Sequence, residues 1–500
     1  MFKKFKSISP AAKSSLAYTV CNILQKSISF ITLPIFTRLL TTEQVGQYTI
    51  YTTWSAVFTI LITLNMSFGT FDRAMVRFER DRYKYTSSIR TIVFIILGLM
   101  LAIYLPLSQY INNFLSLPTP LVLLMFSEIV AVFAFHSWCS EEKFNFRWHW
   151  VVIITIVMSA AAPVLAYFLV INNSEKGYAR IIGYASINIA VGLFFIFFNY
   201  FKGKKVFSKE FWKYALTFNI PLIPYYFSQI IFNQSDKIMI EKLVGLSEAG
   251  IYGIAYSFAL ILSFVLTAMN SGYVPWLYRK IKNKDYKANR AVTILLTVIF
   301  STLIVGVIWI TPEFIHFLAP DEYNGAIYVV PPIALSLILL QYSQFSINIE
   351  FYNEQKWYLV GASLLAAGLN IGLNFWLIPI YGYLAAGYTT LASYVVFAVS
   401  NYFCIFKKVR KGGELQGIFN ELALVLLFFF FAGMGFLGMF LFPYPIARYV
   451  SIGAVILVLI ILGTVFRKKL SAIYAKFKHR NDTKQVETVS QKESETPSNE

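Results

Sequence analysis

The chain has little charge and almost no cysteine or histidine. Only 14% of its 500 residues are charged, against about 25% in soluble domains, and 57% are hydrophobic. The three cysteines and four histidines show neither disulfide nor metal-ligand spacing, so we expect no disulfide framework, metal or other cofactor. A phosphate-binding P-loop and a G-x-S-x-G motif are both absent, and we therefore expect the chain not to be an enzyme.

The apolar residues are gathered into long runs. A helix needs about 20 mostly apolar residues to cross about 30 Å of hydrocarbon. Fourteen runs meet this requirement, which predicts an all-α polytopic membrane protein with about 14 transmembrane helices. Their approximate limits are 15–36, 46–69, 91–110, 120–140, 150–171, 181–201, 214–235, 250–271, 291–311, 326–347, 358–379, 383–404, 422–442 and 449–466.

The distribution of Lys and Arg predicts the orientation in the membrane. With the N-terminus in the cytoplasm, the predicted inside segments carry 36 of the 43 Lys and Arg residues and the outside loops carry 6. The remaining one, Lys26, lies inside a span. Because Lys and Arg are concentrated in cytoplasmic loops, both termini are predicted to be cytoplasmic. The same rule accounts for the net charge of +18, so we expect no nucleic-acid partner.

Two pairs of segments recur at nearly constant spacing. TEQVGQYTIY (42–51) is similar to SEAGIYGIAY (247–256), and GYARIIGYAS (177–186) is similar to GYLAAGYTTL (382–391). Both offsets are 204 or 205 residues, which indicates a duplication of about six spans. Because six is even, the two copies have the same orientation, and a parallel pseudo-repeat follows.

The repeat divides the chain into predicted domains. Residues 1–205 and 206–410 each form a six-helix lobe, and 411–466 add a two-helix hairpin. Residues 467–500 are first basic and then polar, which is typical of a cytoplasmic tail that begins against anionic lipid headgroups and ends in disorder.

Several segments together resemble a transporter family. They are LPIFTRLLTTEQVGQY, FNIPLIPYYFSQIIFNQSDKIMI, GLSEAGIYGIAY and LNIGLNFWLIPIYGYLAAGYTTLASY. Over about residues 10–410 the chain resembles polysaccharide flippases of the multidrug/oligosaccharidyl-lipid/polysaccharide exporter superfamily, especially the O-antigen and capsule repeat-unit flippases.

The resemblance implies two helix bundles around a central cavity, in the cytoplasmic membrane of a bacterium. The cargo it implies is an undecaprenyl-diphosphate-linked oligosaccharide, moved from the inner to the outer leaflet by alternating access. Membrane lipids, a polysaccharide polymerase and a chain-length regulator are the further partners. A peptidoglycan-precursor flippase, a multidrug/cation antiporter and a membrane glycosyltransferase or polymerase remain alternatives.

Only two charged side chains fall inside the spans as drawn, Lys26 and Glu128. A charge at the bilayer centre costs about 2.5–3.5 kcal/mol, so each is a candidate site. Lys26 has Asn22 one turn before it and Gln25 beside it, which makes a polar stripe. Either Lys26 binds the diphosphate of the cargo, or it extends along the helix to the interface.

Glu128 is followed two turns later by His136, and the pair is a candidate ion-coupling path. The alternative is a single interhelical hydrogen bond made by a protonated Glu128.

The seventh span carries two prolines, Pro221 and Pro224, and a polar outer part. Because proline removes a backbone donor, we expect a bend there. Asn233 and Asp236 are candidate substrate-binding residues, and Asp236 matches the acidic position of the family pattern. Asp236 either closes an outer gate against Arg38, contacts cargo or couples an ion, or it is an ordinary interfacial charge.

Two further helix faces are polar. Gln341 and Gln344 lie three residues apart, and Asn370 and Asn374 four apart, so each pair shares one face. Neutral amides suit sugar hydroxyl groups, and they suit helix–helix hydrogen bonds equally well.

Overall fold

The computed structural model describes residues 10–67, 70–353, 356–410 and 412–453. Within these ranges the chain is almost entirely helical and has no β-strand. The helices are α1 (Pro10–Leu39), α2 (Thr42–Thr63), α3 (Thr70–Arg77), α4 (Arg82–Tyr104), α5 (Ser108–Leu115), α6 (Thr119–Phe144), α7 (Trp148–Asn172), α8 (Lys176–Gly203), α9 (Lys209–Asn219), α10 (Ile223–Leu243), α11 (Leu246–Lys282), α12 (Tyr286–Trp309), α13 (Thr311–Leu318), α14 (Val330–Tyr352), α15 (Lys356–Tyr381), α16 (Leu384–Val409) and α17 (Glu421–Phe440).

Eleven of the described helices are long and apolar enough to cross a membrane. Two more, α2 and α10, coincide with predicted spans but carry too many polar side chains to qualify on composition alone. The prediction of a multi-pass α-helical membrane protein is therefore confirmed. The count of fourteen stays a prediction, because the last run and the 467–500 tail lie largely or wholly outside the described residues.

The helix of the seventh span is interrupted where the sequence predicts a bend. Helix α9 ends at Asn219, a 3-10 turn covers Ile220–Leu222, and α10 begins at Ile223. Pro221 stands in that turn and Pro224 in the first turn of α10, where a missing backbone donor costs least.

The connections contain more helix than the sequence predicts. Helices α3, α5, α9 and α13 are short, and the predicted outer loop after α12 consists of α13 and a 3-10 helix at Asp321–Tyr328. Helix α11 is the longest, because it continues past its apolar part to Lys282.

Helix α2 begins at a capping box. The Thr41 hydroxyl accepts from the Gln44 backbone N–H at 3.3 Å, and the Gln44 side chain accepts from the Thr41 backbone N–H at 3.2 Å. This reciprocal pair satisfies two backbone donors at the helix start and fixes where α2 begins.

We call α1–α8 the N-terminal half and α10–α16 the C-terminal half. In the N-terminal half, α8 packs against α6 and α7, and α1 packs against α7. In the C-terminal half, α16 packs against α14 and α15, and α10 packs against α15. The order of contacts is thus alike in the two halves. The domain limits at 205 and 410 stay a prediction.

The largest hydrophobic cluster joins α2, α4 and α6 to the first turns of α11. Among its members are Ile50, Val122, Met125, Tyr252 and Ala255. Large apolar side chains elsewhere point outward, as expected for helices in lipid; Ile31, Phe375 and Trp376 are examples. The described residues after Phe436 belong to a second unit, in which the Arg448 guanidinium lies over the Tyr449 ring at 5.3 Å.

Candidate functional site

Helices α2 and α11 cross at two glycines that the repeat relates. A Cβ atom on Gly46 would lie 1.9 Å from the Leu246 carbonyl oxygen, and one on Gly250 would lie 2.3 Å from the Thr42 carbonyl oxygen. The contact is reciprocal, and the backbones approach as closely as glycine permits. The Thr42 and Ser247 hydroxyls hydrogen-bond beside it at 2.7 Å. This crossing joins the two halves at the predicted outer end.

Further hydrogen bonds join the halves at the same end. The Arg38 guanidinium donates to the Phe317 carbonyl at 2.9 Å, and the Thr37 hydroxyl donates to the Leu318 carbonyl. Across the molecule, the Ser116 hydroxyl donates to the Glu241 carboxylate at 2.7 Å. The structure therefore has its predicted outer end closed.

Asp236 of α10 is the centre of a buried polar cluster. Its carboxylate is 1% exposed and accepts from Tyr252 at 2.7 Å, from Thr390 at 2.6 Å and from Asn374 at 2.6 Å. These donors come from α11, α16 and α15. One carboxylate thus holds four helices together, with both of its oxygens engaged.

The cluster extends to other residues that the sequence singled out. Asn370 accepts from Asn374 at 3.2 Å and from Ser235 at 2.9 Å. Asn233 accepts from the Tyr256 hydroxyl at 3.3 Å, and the Lys237 ammonium lies 4.4 Å from the Tyr256 ring centre. Asp236, Asn370 and Asn374 are therefore brought together, with Asn233 one helical turn away.

Two of the possibilities raised for Asp236 are wrong for this structure. Arg38 donates to the Phe317 and Pro34 carbonyls, so it makes no gate with Asp236 here. Asp236 is also not an interfacial charge, because α10 continues to Leu243 and other helices cover the carboxylate.

Helices α4 and α10 extend beyond the spans drawn from the sequence, and the added parts contain charged residues. Arg90 lies in α4 and is 1% exposed; its guanidinium donates to the Ala134 carbonyl at 2.9 Å and to the Ser137 hydroxyl at 2.8 Å. Lys237 follows Asp236 in α10. Charged residues within the described helices are therefore not limited to Lys26 and Glu128, the two that fall inside the spans as drawn.

Glu128 of α6 lies beside an open cavity of about 290 Å³. One carboxylate oxygen accepts from the Tyr51 hydroxyl at 2.6 Å and the other from the Asn188 amide at 2.7 Å. The interhelical hydrogen bond considered for Glu128 is thus present, to α2 and to α8. The cavity is lined by Ser55, Thr59, Thr63, Ser67, Glu128, Ile129, Val132, Phe133, His136 and Asn188.

Lys26 is exposed on α1, with its ammonium 4.7 Å from the centre of the Phe264 ring of α11. Asn22 is exposed and Gln25 half-buried on the same helix. In the part of the chain that the structure describes, Lys26 forms no hydrogen bond or ion pair. The Lys26 ammonium therefore contacts the C-terminal half through the Phe264 ring.

Gln341 and Gln344 line a second, narrow cavity of about 10 Å³. The Gln341 amide donates to the Leu296 carbonyl at 3.3 Å, so this side chain joins α14 to α12. The side-chain oxygens of both glutamines are buried and accept no hydrogen bond from the described residues. Gln341 and Gln344 lie apart from the cluster around Asp236.

Sequence reasoning missed the partners of both carboxylates. Tyr51 and Tyr252 lie in the repeated segments TEQVGQYTIY and SEAGIYGIAY, and nothing in their spacing points to Glu128 or Asp236. The hydroxyl side chains Ser55, Thr59 and Thr63 recur every four residues on α2, which a search for polar helix faces would have found.

Comparisons with known proteins identify the class and then the family. Solved structures with the same fold include the lipid II flippase MurJ in an inward closed conformation. It has a TM-score of 0.68 and 15% identity, covering 91% of this chain and 99% of that one. An inward-facing multidrug resistance MATE family transporter of the MOP superfamily has a TM-score of 0.57 and 11% identity, covering 76% and 93%. The chain therefore shares its fold with these two transporters.

The family described as "Polysaccharide biosynthesis protein" matches residues 11–280, and the chain belongs to it. Two Haemophilus influenzae proteins are each 24% identical. "Lsg locus putative protein 1" matches over 60% of this chain and 74% of its own length, and an "Uncharacterized membrane protein" over 72% and 88%. The resemblance inferred from the sequence is confirmed.

Proposed function

We propose that this protein is a flippase for lipid-linked oligosaccharide. The cargo is a repeat unit of O-antigen or capsule joined through a diphosphate to undecaprenol, and it moves from the inner to the outer leaflet of the bacterial cytoplasmic membrane. Membership of a polysaccharide biosynthesis family with a MOP transporter fold is the observation that carries this proposal. A polysaccharide polymerase and a chain-length regulator would act next on the delivered unit.

A structure closed at its predicted outer end is one of the two states that alternating access requires. With α1, α2, α11 and the segment after α12 joined at the predicted outer end, cargo would enter from the opposite, cytoplasmic side. Opening toward the outside would then require the α2–α11 crossing to separate. Because both termini are predicted to be cytoplasmic, the closed end is predicted to face the outside of the cell.

Lys26 is proposed as the cation that meets the diphosphate. It is exposed in mid-helix, faces α11 and has no anionic partner among the described residues. An ammonium group is a suitable point charge for a phosphate. Asn22 and Gln25 on α1, Arg38, Asn233, Gln341, Gln344, Asn370 and Asn374 are the proposed polar contacts for cargo, and Glu128 and Asp236 the proposed ion-coupling residues.

The test is surface polysaccharide in a strain that lacks its own repeat-unit flippase, with membrane levels of each variant measured in parallel. Lys26→Ala should lower transport about tenfold or more, because 1.4 kcal/mol of lost attraction is a factor of ten. Lys26→Arg should retain part of it, since it keeps the charge. Lys209→Ala, at an exposed lysine of α9, is the matched control.

Normal surface polymer with Lys26→Ala would remove Lys26 from the site. A peptidoglycan-precursor flippase is the second candidate, favoured by the shared fold with MurJ. Rescue of a strain depleted of its lipid II flippase, without rescue of surface polysaccharide, would replace the proposed cargo.

A further inference from the structure

The cavity beside Glu128 is lined by polar side chains of the N-terminal half. It lies between α2, α6 and α8 and encloses about 290 Å³. A single water needs about 10–15 Å³, so the cavity can hold a connected group of waters. The cavity is open, and its hydroxyl, carboxyl, amide and imidazole groups offer water the polar partners that it needs.

One wall of the cavity is a line of hydroxyl groups. Ser55, Thr59 and Thr63 lie on one face of α2, and Ser67 follows after the helix ends. The Thr59 hydroxyl donates to the Ser55 carbonyl at 2.7 Å, and the Thr63 hydroxyl donates to the Thr59 carbonyl at 2.6 Å. Since their hydrogens are engaged, these two oxygens remain as acceptors for water.

At the end of this line stands a carboxylate without a cationic partner. Each Glu128 oxygen accepts one neutral donor, and among the described residues no Lys, Arg or His lies within ion-pair distance. The titratable groups around it are Tyr51 and Tyr48 of α2, His136 of α6 and Tyr184 of α8.

Two cations lie near this group of residues. The Arg180 guanidinium lies over the Tyr48 ring at 3.9 Å, and Lys143 of α6 is the charged neighbour of His136.

We propose that Glu128 is a proton-binding site served by its own water path along α2. Hydronium from the bulk, relayed through the cavity water, transfers a proton to a carboxylate oxygen and leaves water, and the side chain passes from a charge of −1 to neutral. The ionised form accepts one hydrogen bond at each oxygen, from Tyr51 and from Asn188. In the neutral form the protonated oxygen is a weaker acceptor, so the bond from Tyr51 or the bond from Asn188 weakens. Protonation therefore changes how α2 or α8 is held against α6.

A change in the Tyr51 bond can affect the closed end, because Tyr51 and the α2–α11 crossing are on the same helix. Tyr51 lies about one turn beyond Gly46, at which α2 crosses α11. A weaker Tyr51 bond alters the support of α2 at the crossing. The role of this site in transport rests on the proposed function, whereas proton binding itself can be measured without cargo.

The experiment is infrared difference spectroscopy of the full chain in lipid nanodiscs during acidification. We expect a carboxylic C=O band to appear, to shift rapidly in D₂O because the cavity is wet, and to be absent in Glu128→Gln. Glu350→Gln, at another carboxyl that is 1% exposed, is the control and should keep the band. Glu128→Asp, which keeps the acid, should move the band without removing it.

An unchanged band in Glu128→Gln would overturn the proposal. So would a Glu128 carboxylate that ignores pH and responds to added Na⁺, because the site would then take a metal cation. Thr59→Val and Thr63→Val together should slow deuterium exchange at the band while preserving it; an unchanged exchange rate would refute the path. Failure of polysaccharide transport alone would leave these spectra intact and would refute the proposed function.

Discussion

Each half of the chain holds one carboxylate that accepts a tyrosine hydroxyl from a helix of the glycine crossing. Glu128 accepts from Tyr51 of α2, and Asp236 accepts from Tyr252 of α11. Their surroundings differ. Glu128 has two donors and borders a cavity of about 290 Å³, whereas Asp236 has three donors and is 1% exposed.

The difference separates two uses of an acidic residue in a membrane helix. In this closed structure the carboxylate of the C-terminal half is a structural centre, because three buried donors from three helices engage both of its oxygens. The carboxylate of the N-terminal half keeps access to water and can exchange a proton. Similar helices therefore produce one dry site and one wet site.

The largest expected effect is that of Asp236→Ala. It leaves Tyr252, Thr390 and Asn374 without their acceptor, and each buried unsatisfied group costs about 1–3 kcal/mol. We expect a loss of at least about 3 kcal/mol in the free energy of unfolding, measured by denaturation in detergent. Glu128→Ala should cost clearly less, because water can replace the side chain. Equal losses in the two variants would abolish the distinction between a dry and a wet site.

An intermediate effect is expected at the crossing that joins the two tyrosine-bearing helices. Gly46→Ala places a methyl group against the Leu246 carbonyl, so α2 and α11 must separate at a cost of about 1–3 kcal/mol. Disulfide formation between Thr42→Cys and Ser247→Cys should fall in this background. Gly361→Ala, with no atom within 4 Å of the added Cβ, is the control and should leave cross-linking unchanged. Undiminished cross-linking in Gly46→Ala would show that the closed end does not depend on this contact.

The smallest expected effect is the difference between two matched tyrosine variants, and it tests the comparison of the two carboxylates most directly. Tyr252→Phe removes a donor from a sealed carboxylate, and we expect a loss of about 1.5–3 kcal/mol. Tyr51→Phe removes the equivalent donor from Glu128, where a cavity water can take its place, and we expect a loss of about 0.5–1.5 kcal/mol. The measurement is the loss in the free energy of unfolding for each variant, and the two losses are then compared. A larger loss for Tyr51→Phe would reverse the assignment.

The sequence predicted the polar positions well and their meeting places poorly. Asn370 and Asn374 were found because amides four residues apart share a helix face, and Glu128 because it interrupts an apolar run. Their partners are far away in the chain: Asn374 reaches Asp236 across 138 residues, and Glu128 reaches Tyr51 across 77. Helical periodicity is a local property, and it contains no information about which faces meet.

Composition and spacing were sufficient for the class of protein. Long apolar runs require helices in a membrane because lipid offers no partner for backbone groups, and the recurrence at about 204 residues predicted the similarity between Gly46 and Gly250. Tertiary structure alone decided that these glycines touch, that Asp236 is sealed and that Glu128 is wet. The physical reason is that burial and hydration depend on the packing of distant helices, whereas a helix forms from its own residues.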